Sequence, residues 1–151
     1  MALVDLLRAV ALFDGLNDSQ LQQIIDISQE AIYNDGQTIF KQDTEGNHIY
    51  FIREGQVEIL IRRKPHEPER SQVYLGRGQV FGEMALLDEG KRSATVRCSR
   101  DGTALHIISR ADFDDLCSTN TGIGYIVMRN MAMDLSFKLR HQNLDLGAGS
   151  Q

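Results

Sequence analysis

The chain has 151 residues, 42% of them apolar and 25% charged, and its 16 Lys and Arg against 21 Asp and Glu leave a net charge of −5. That length suits one domain able to bury roughly 70% of the surface its unfolded chain exposes, and the acidic balance argues against direct nucleic-acid binding, which favours a basic surface. The two cysteines, Cys98 and Cys117, show no Cys-x-x-Cys pattern, so neither a disulfide scaffold nor a zinc knuckle is expected and a reducing, cytoplasmic setting fits.

Leu3, Leu6, Leu7 and Val10 recur at helical spacing until Asp14-Gly15 breaks the pattern. The longest uninterrupted apolar run near the start, 9–13, is far too short to span a bilayer. Asp5 and Arg8 stand where a secretory signal would carry a basic region and then apolar residues, so neither a signal nor a membrane contact is expected. Asn17 with Gln20 resembles a capping box, and it introduces a second helix with Leu21, Ile24 and Ile25 on one face.

From Ala31 to Ile108 the period shortens. Asp35-Gly36, Glu45-Gly46, Glu54-Gly55, Gly76 to Gly78 and Asp101-Gly102 punctuate short runs at 38–40, 48–52, 56–61, 73–75, 94–98 and 104–108. Such spacing predicts a β-sandwich or barrel. In the run 56–61, Val57, Ile59 and Ile61 alternate with Gln56, Glu58 and Leu60, which assigns the first set to the interior. Residues 62–70 hold both prolines among charged side chains and read as an exposed hairpin loop. The glycines at 76, 78 and 82 do not match a dinucleotide fingerprint, because their spacing is wrong and no long helix follows.

After Ile108 the helical period returns. Ser109 with Asp112 caps a helix that turns Phe113 and Leu116 inward, with Asp112, Asp114 and Asp115 on its solvated face. A longer helix over about 122–143 carries Met128, Met131, Leu135 and Leu139 on one stripe, with Met128, Met131 and Met133 as core or partner contacts. Residues 147–151 are small and polar, and a disordered tail is expected after a single domain over 1–146. His48, His66, His106 and His141 are scattered, so no metal site is expected, and no Ser-His-Asp or Cys-His grouping suggests catalysis.

One segment carries chemistry of its own. A strand ending at Val80-Phe81 meets Gly82, where the missing side chain admits a ligand to the backbone, and a short helical turn from Glu83 then leaves N–H groups free for an anion. Arg92 can add two parallel hydrogen bonds to the same anion. Glu83 would repel a bare phosphate, but it suits a sugar hydroxyl, as acidic residues do in dinucleotide sites. Anion donors beside one hydroxyl acceptor describe a nucleotide with a free 2′-OH.

The segment Phe81-Gly82-Glu83-Met84-Ala85-Leu86-Leu87, followed after residues 88–91 by Arg92-Ser93-Ala94-Thr95-Val96, resembles the phosphate-binding cassette of cyclic nucleotide-binding domains. This is the family of the cyclic-AMP-dependent protein kinase regulatory subunits and the bacterial catabolite activator proteins. Leu12-Phe13 with Leu16 is similar to its entry helix, residues 36–55 to its first hairpins, and Phe113 and the final helix to its B and C helices. The implied fold is mainly β with flanking helices: a double-stranded, jelly-roll-like β-roll between N-terminal helices and the C-terminal pair.

The resemblance implies that Glu83 holds the ribose 2′-hydroxyl and that Arg92 pairs with the cyclic phosphate, helped by backbone N–H groups of Ala85, Ser93 and Ala94. It places Gly82 and Met84 beside the sugar and Ile59 and Ile61 against the base. Ser93 stands where threonine often accompanies cyclic GMP and alanine cyclic AMP; serine there occurs in the catabolite activator, which binds cyclic AMP, so the resemblance implies cyclic AMP as ligand, with cyclic GMP as the other candidate. Asp43 replaces a frequent turn glycine, at small cost because Asp tolerates a left-handed backbone. Lys138, Arg140, His141 and Asn143 are candidate lids for the base. The expected function is a non-enzymatic sensor without cofactor, signalling through its last helix to an effector protein in trans or in a larger chain, with a homodimer through that helix. The alternatives are a protein-interaction module with a vestigial pocket and a phosphodiesterase, against which the scattered histidines argue.

Overall fold

The computed structural model describes residues 2–88 and 90–149, with side chains through His141 apart from residue 89. The first elements are α1 (Leu3–Arg8), a 3-10 turn at Ala11–Phe13 and α2 (Asp18–Asp26). Asn17 starts α2 as the pattern predicts: its side chain accepts from the Gln20 N–H at 2.8 Å, and the Gln20 side chain accepts from the Asn17 N–H at 3.0 Å.

Eight strands follow: β1 (Gln29–Tyr33), β2 (Thr38–Phe40), β3 (His48–Glu54), β4 (Gln56–Ile61), β5 (Arg70–Gly76), β6 (Val80–Phe81), β7 (Thr95–Cys98) and β8 (Thr103–Ser109). They form two four-stranded sheets, β1-β8-β3-β6 and β2-β7-β4-β5, and every pairing is antiparallel. This is the expected β-roll with flanking helices. The chain closes with α3 (Arg110–Thr119), capped by the Ser109 hydroxyl accepting from the Asp112 N–H at 3.1 Å, and α4 (Thr121–Gly149). Of the expected tail at 147–151, the backbone of residues 147–149 continues α4, and residues 150–151 lie outside the described residues.

β3 shows how the sequence builds two cores. Ile49, Tyr50, Phe51 and Ile52 are all buried. Period-2 geometry sends Ile49 and Phe51 to the helices, where they join Phe13, Leu21, Ile24, Phe113, Ile123 and Val127. Tyr50 and Ile52 point into the roll with Val57, Phe81, Val96 and Leu105. A strand covered on both faces therefore reads as an unbroken apolar run.

Three expectations shift. β1 was not among the predicted runs; it is an edge strand with an exposed Gln-Glu start and is held by its register with β8. In β4 the buried side chains are Val57 and Leu60, while Ile59 and Ile61 are only partly covered. The partner strand β5 slips between Val73 and Ser71, so Gln72 opposes no residue of β4, and Leu60 is covered where alternation expects solvent. In α4 the buried stripe is Ile123, Val127 and Met131. Leu135 is half-buried, whereas Met133, Phe137 and Leu139 are exposed.

Candidate functional site

β6 delivers the chain to Gly82, whose backbone is left-handed at φ 76°. The 3-10 turn Glu83–Leu86 follows, then a loop returns through Arg92 to β7. Gly82 cannot be replaced freely: a Cβ there would lie 2.8 Å from an Arg92 Nη and 3.2 Å from the His48 carbonyl oxygen. Between the cassette and the inner face of the β2-β7-β4-β5 sheet lies a cavity of about 450 Å3.

Arg92 dominates this cavity. It is 8% exposed, and it takes part in no ion pair among the described residues. Its two Nη atoms donate to the carbonyl oxygens of Gly82 (3.3 Å) and His48 (2.8 Å), and its buried Nε has no partner. The guanidinium lies 4.0 Å above the Phe40 ring and 5.9 Å from that of Tyr50. Tyr50 in turn stacks on Phe81 at 4.9 Å. Burial pulls the Arg92 pKa below the ordinary arginine value, and the same loss of water pushes the Tyr50 phenol up. A buried cation with no acid beside it is costly, and an arriving anion removes that cost.

The backbone clamps Arg92 from the other side. Its N–H donates to the Thr44 carbonyl at 2.7 Å, and its own carbonyl accepts from the Asp43 N–H at 2.8 Å. Asp43 adopts φ 68°, the left-handed turn expected for it. Gly46, which sequence reading treats only as a turn signal, packs directly against the Arg92 side chain.

Of the predicted site residues, Gly82, Glu83, Met84, Ala85, Arg92, Ser93, Ala94 and Ile59 all line the cavity. Ile61 is not among the lining residues. The Ala85 N–H is engaged by the Gly82 carbonyl at 3.2 Å. Val80, Phe81, Asp88, Gly90, Lys91 and Val96, from the cassette and the strands beside it, also line the cavity. Phe40, Gly46 and Leu75 join them and were missed, because they sit on separate hairpins and carry no polar signature of a site.

None of the lid candidates lines this cavity among the described residues. Lys138 lines a neighbouring cavity of about 350 Å3 between the N-terminal helices, the cassette and α4, together with Glu83 and Met84. Its ammonium pairs with Asp134 at 2.8 Å, and that bond, with the Glu83 charge as a smaller contribution, holds its pKa above the ordinary lysine value. His141 packs on Phe137 with ring centroids 4.0 Å apart, and Arg140 is exposed. The side chain of Asn143 lies outside the described residues.

Among the described residues no group of three or more His, Cys, Asp or Glu side chains could hold a metal ion. No helix there is long and apolar enough to cross a membrane.

The family model described as cyclic nucleotide-binding domain matches residues 30–120. The cyclic AMP receptor protein of Thermus thermophilus is 34% identical over 140 residues, covering 93% of this chain and 62% of that protein. The cGMP-dependent protein kinase isozyme 2, forms cD5/T2, of Drosophila melanogaster is 33% identical over 115 residues, covering 76% of this chain but only 12% of the kinase. Among solved structures, the N-terminal domain of a transcriptional regulator from Streptomyces coelicolor superimposes with a TM-score of 0.82 at 26% identity, covering 91% of this chain and 94% of that one. The chain thus spans less than two thirds of the two curated relatives it matches.

Proposed function

Because the chain belongs to the cyclic nucleotide-binding domain family, we propose that it is a sensor domain that captures cyclic AMP in the cavity beside Arg92 and transmits occupancy through α4. The observation that carries this reading is the buried Arg92 guanidinium, with an unpartnered Nε and no carboxylate partner, facing a cavity whose other polar side chains are Glu83, Asp88, Lys91 and Ser93. A cyclic phosphate supplies the anion that Arg92 lacks, and Glu83 accepts from the ribose 2′-hydroxyl. Phe40, Ile59 and Leu75 offer the base an apolar wall. Ser93 also lines the cavity, and its resemblance to the catabolite activator's serine is the ground for cyclic AMP over cyclic GMP.

Transmission follows from position. Glu83 and Met84 belong both to the nucleotide cavity and to the neighbouring one that Met131, Leu135 and Lys138 of α4 help to line. Any shift of the Glu83–Leu86 turn on capture changes the packing that α4 meets, and the ligand biases the helix by its differential affinity for the two arrangements. The ligand leaves unaltered: the domain acts without catalysis or cofactor, in the cytoplasm, on an effector in trans or in a longer chain.

Calorimetric titration with each nucleotide tests this. Saturable binding of one equivalent, tighter for cyclic AMP, is expected. No heat and no thermal stabilisation by either nucleotide in large excess would transfer the fold to a protein-interaction role with a vestigial pocket.

The same reading includes a homodimer through α4. Tyr125, Met133, Phe137 and Leu139 are between 56% and 67% exposed on one helix, an apolar surface that α4 of a second copy would cover. Light scattering is expected to return twice the mass of the chain at micromolar concentration, and a monomer mass there removes this part of the proposal.

A further inference from the structure

The sheet that walls the nucleotide cavity turns its other face toward a second depression. Successive residues leading into and along β7 alternate between the two: Ala94 and Val96 line the cavity, whereas Thr95 and Arg97 line a groove of about 650 Å3 on the opposite side. The groove is closed by residues 41–43 and by the start of the β4–β5 loop. Gln42 braces it. Its side chain donates to the Arg62 carbonyl at 2.9 Å and accepts from the Arg62 N–H at 2.8 Å, and its own N–H donates to the Thr95 hydroxyl at 2.9 Å.

The charge of this groove opposes that of the chain. Lys41, Arg62, Arg63, Lys64 and Arg97 line it against only Asp43 and Glu69, in a protein whose net charge is −5. Glu69 is committed to Arg97 at 3.3 Å. Lys41, Arg63 and Lys64 form no ion pair among the described residues.

We propose that this groove docks an acidic polypeptide segment of a partner protein. Guanidinium forks and free ammonium groups match carboxylates spaced along a peptide. The two acids within the lining disfavour a polyphosphate or nucleic-acid strand, whose continuous charge they would repel; with Glu69 held by Arg97, a peptide instead offers Asp43 a backbone N–H donor. A lipid surface needs a flat or convex contact, and this one is concave and braced.

The test uses the full chain without nucleotide and a fluorescein-labelled peptide of alternating glutamate and glycine, followed by anisotropy. Saturable binding at low ionic strength is expected, weakening with added salt. The double substitution Arg63→Glu/Lys64→Glu should weaken it at least about tenfold while leaving the calorimetric affinity for cyclic AMP and the thermal midpoint unchanged. Should that reversal disturb folding, Arg63→Ala/Lys64→Ala reads the same contact with a smaller loss. No binding by the wild-type chain, or equal binding by wild type and variants, overturns the proposal. So does tighter capture, through the same residues, of inorganic polyphosphate, a single-stranded oligonucleotide or phosphatidylserine vesicles.

Discussion

Arg92→Ala is expected to weaken binding of both cyclic AMP and cyclic GMP by about two orders of magnitude, read by calorimetry. Hydrogen bonds to a charged partner contribute about 1.5–3 kcal/mol each, and every 1.4 kcal/mol is tenfold in affinity. Two such bonds, lost from a site that is 8% exposed at Arg92, leave the phosphate charge desolvated and uncompensated. The ligand-free protein should change much less in stability. In that state Arg92 gives up only two bonds to carbonyl oxygens and its place over Phe40, while the alanine variant no longer buries an unpaired cation. Arg92→Lys separates charge from shape: it keeps the cation but loses the planar fork, so its affinity should fall between those of wild type and alanine. Equal affinity for wild type and Arg92→Ala would remove Arg92 from the phosphate site.

The parts of this molecule that were legible in its sequence share a physical property: their signal is local. The capping boundary at Asn17 and the cap at Ser109 are set by contacts within three residues. The strands at 56–61 and 80–81 are delimited by neighbouring turns, and the cassette from Gly82 to Ala94 is one stretch of chain whose own loop folds it around the cavity. What stayed hidden depends on partners far along the chain. β1 exists because β8, more than 70 residues later, supplies its ladder. Leu60 is covered beside a slip in β5 that alternation within β4 does not encode. Phe40 is an ordinary strand residue until the fold slides the Arg92 guanidinium over its ring. Lys138, one of several polar residues on a helix, meets the cassette only because Ile123, Val127 and Met131 seat α4 on the helical core.

Gly46 belongs to the same group, and its replacement separates a role in support from a role in contact. A Cβ at Gly46 would fall 2.5 Å from Arg92 Cζ and 2.7 Å from Cδ, and closer still to Nε. Those atoms are the middle of the side chain, not a free tip that can swing aside. The main chain of Arg92 is tied to Asp43 and Thr44, and its Nη atoms are tied to Gly82 and His48. Relief of the overlap therefore has to come from the guanidinium or from the 41–46 turn. Gly46 itself has no left-handed backbone, unlike Gly82 at φ 76°, so backbone strain adds nothing to the effect. Gly46→Ala is expected to lower cyclic nucleotide affinity by about tenfold to a hundredfold, because a misplacement of about 1 Å costs a fork its parallel bonds. If Gly46 acts through Arg92, the double variant Gly46→Ala/Arg92→Ala should bind no more weakly than Arg92→Ala alone, a coupling that a double-mutant cycle measures directly. Wild-type affinity in Gly46→Ala, or losses that add in the double variant, would mean that Gly46 does not position the arginine.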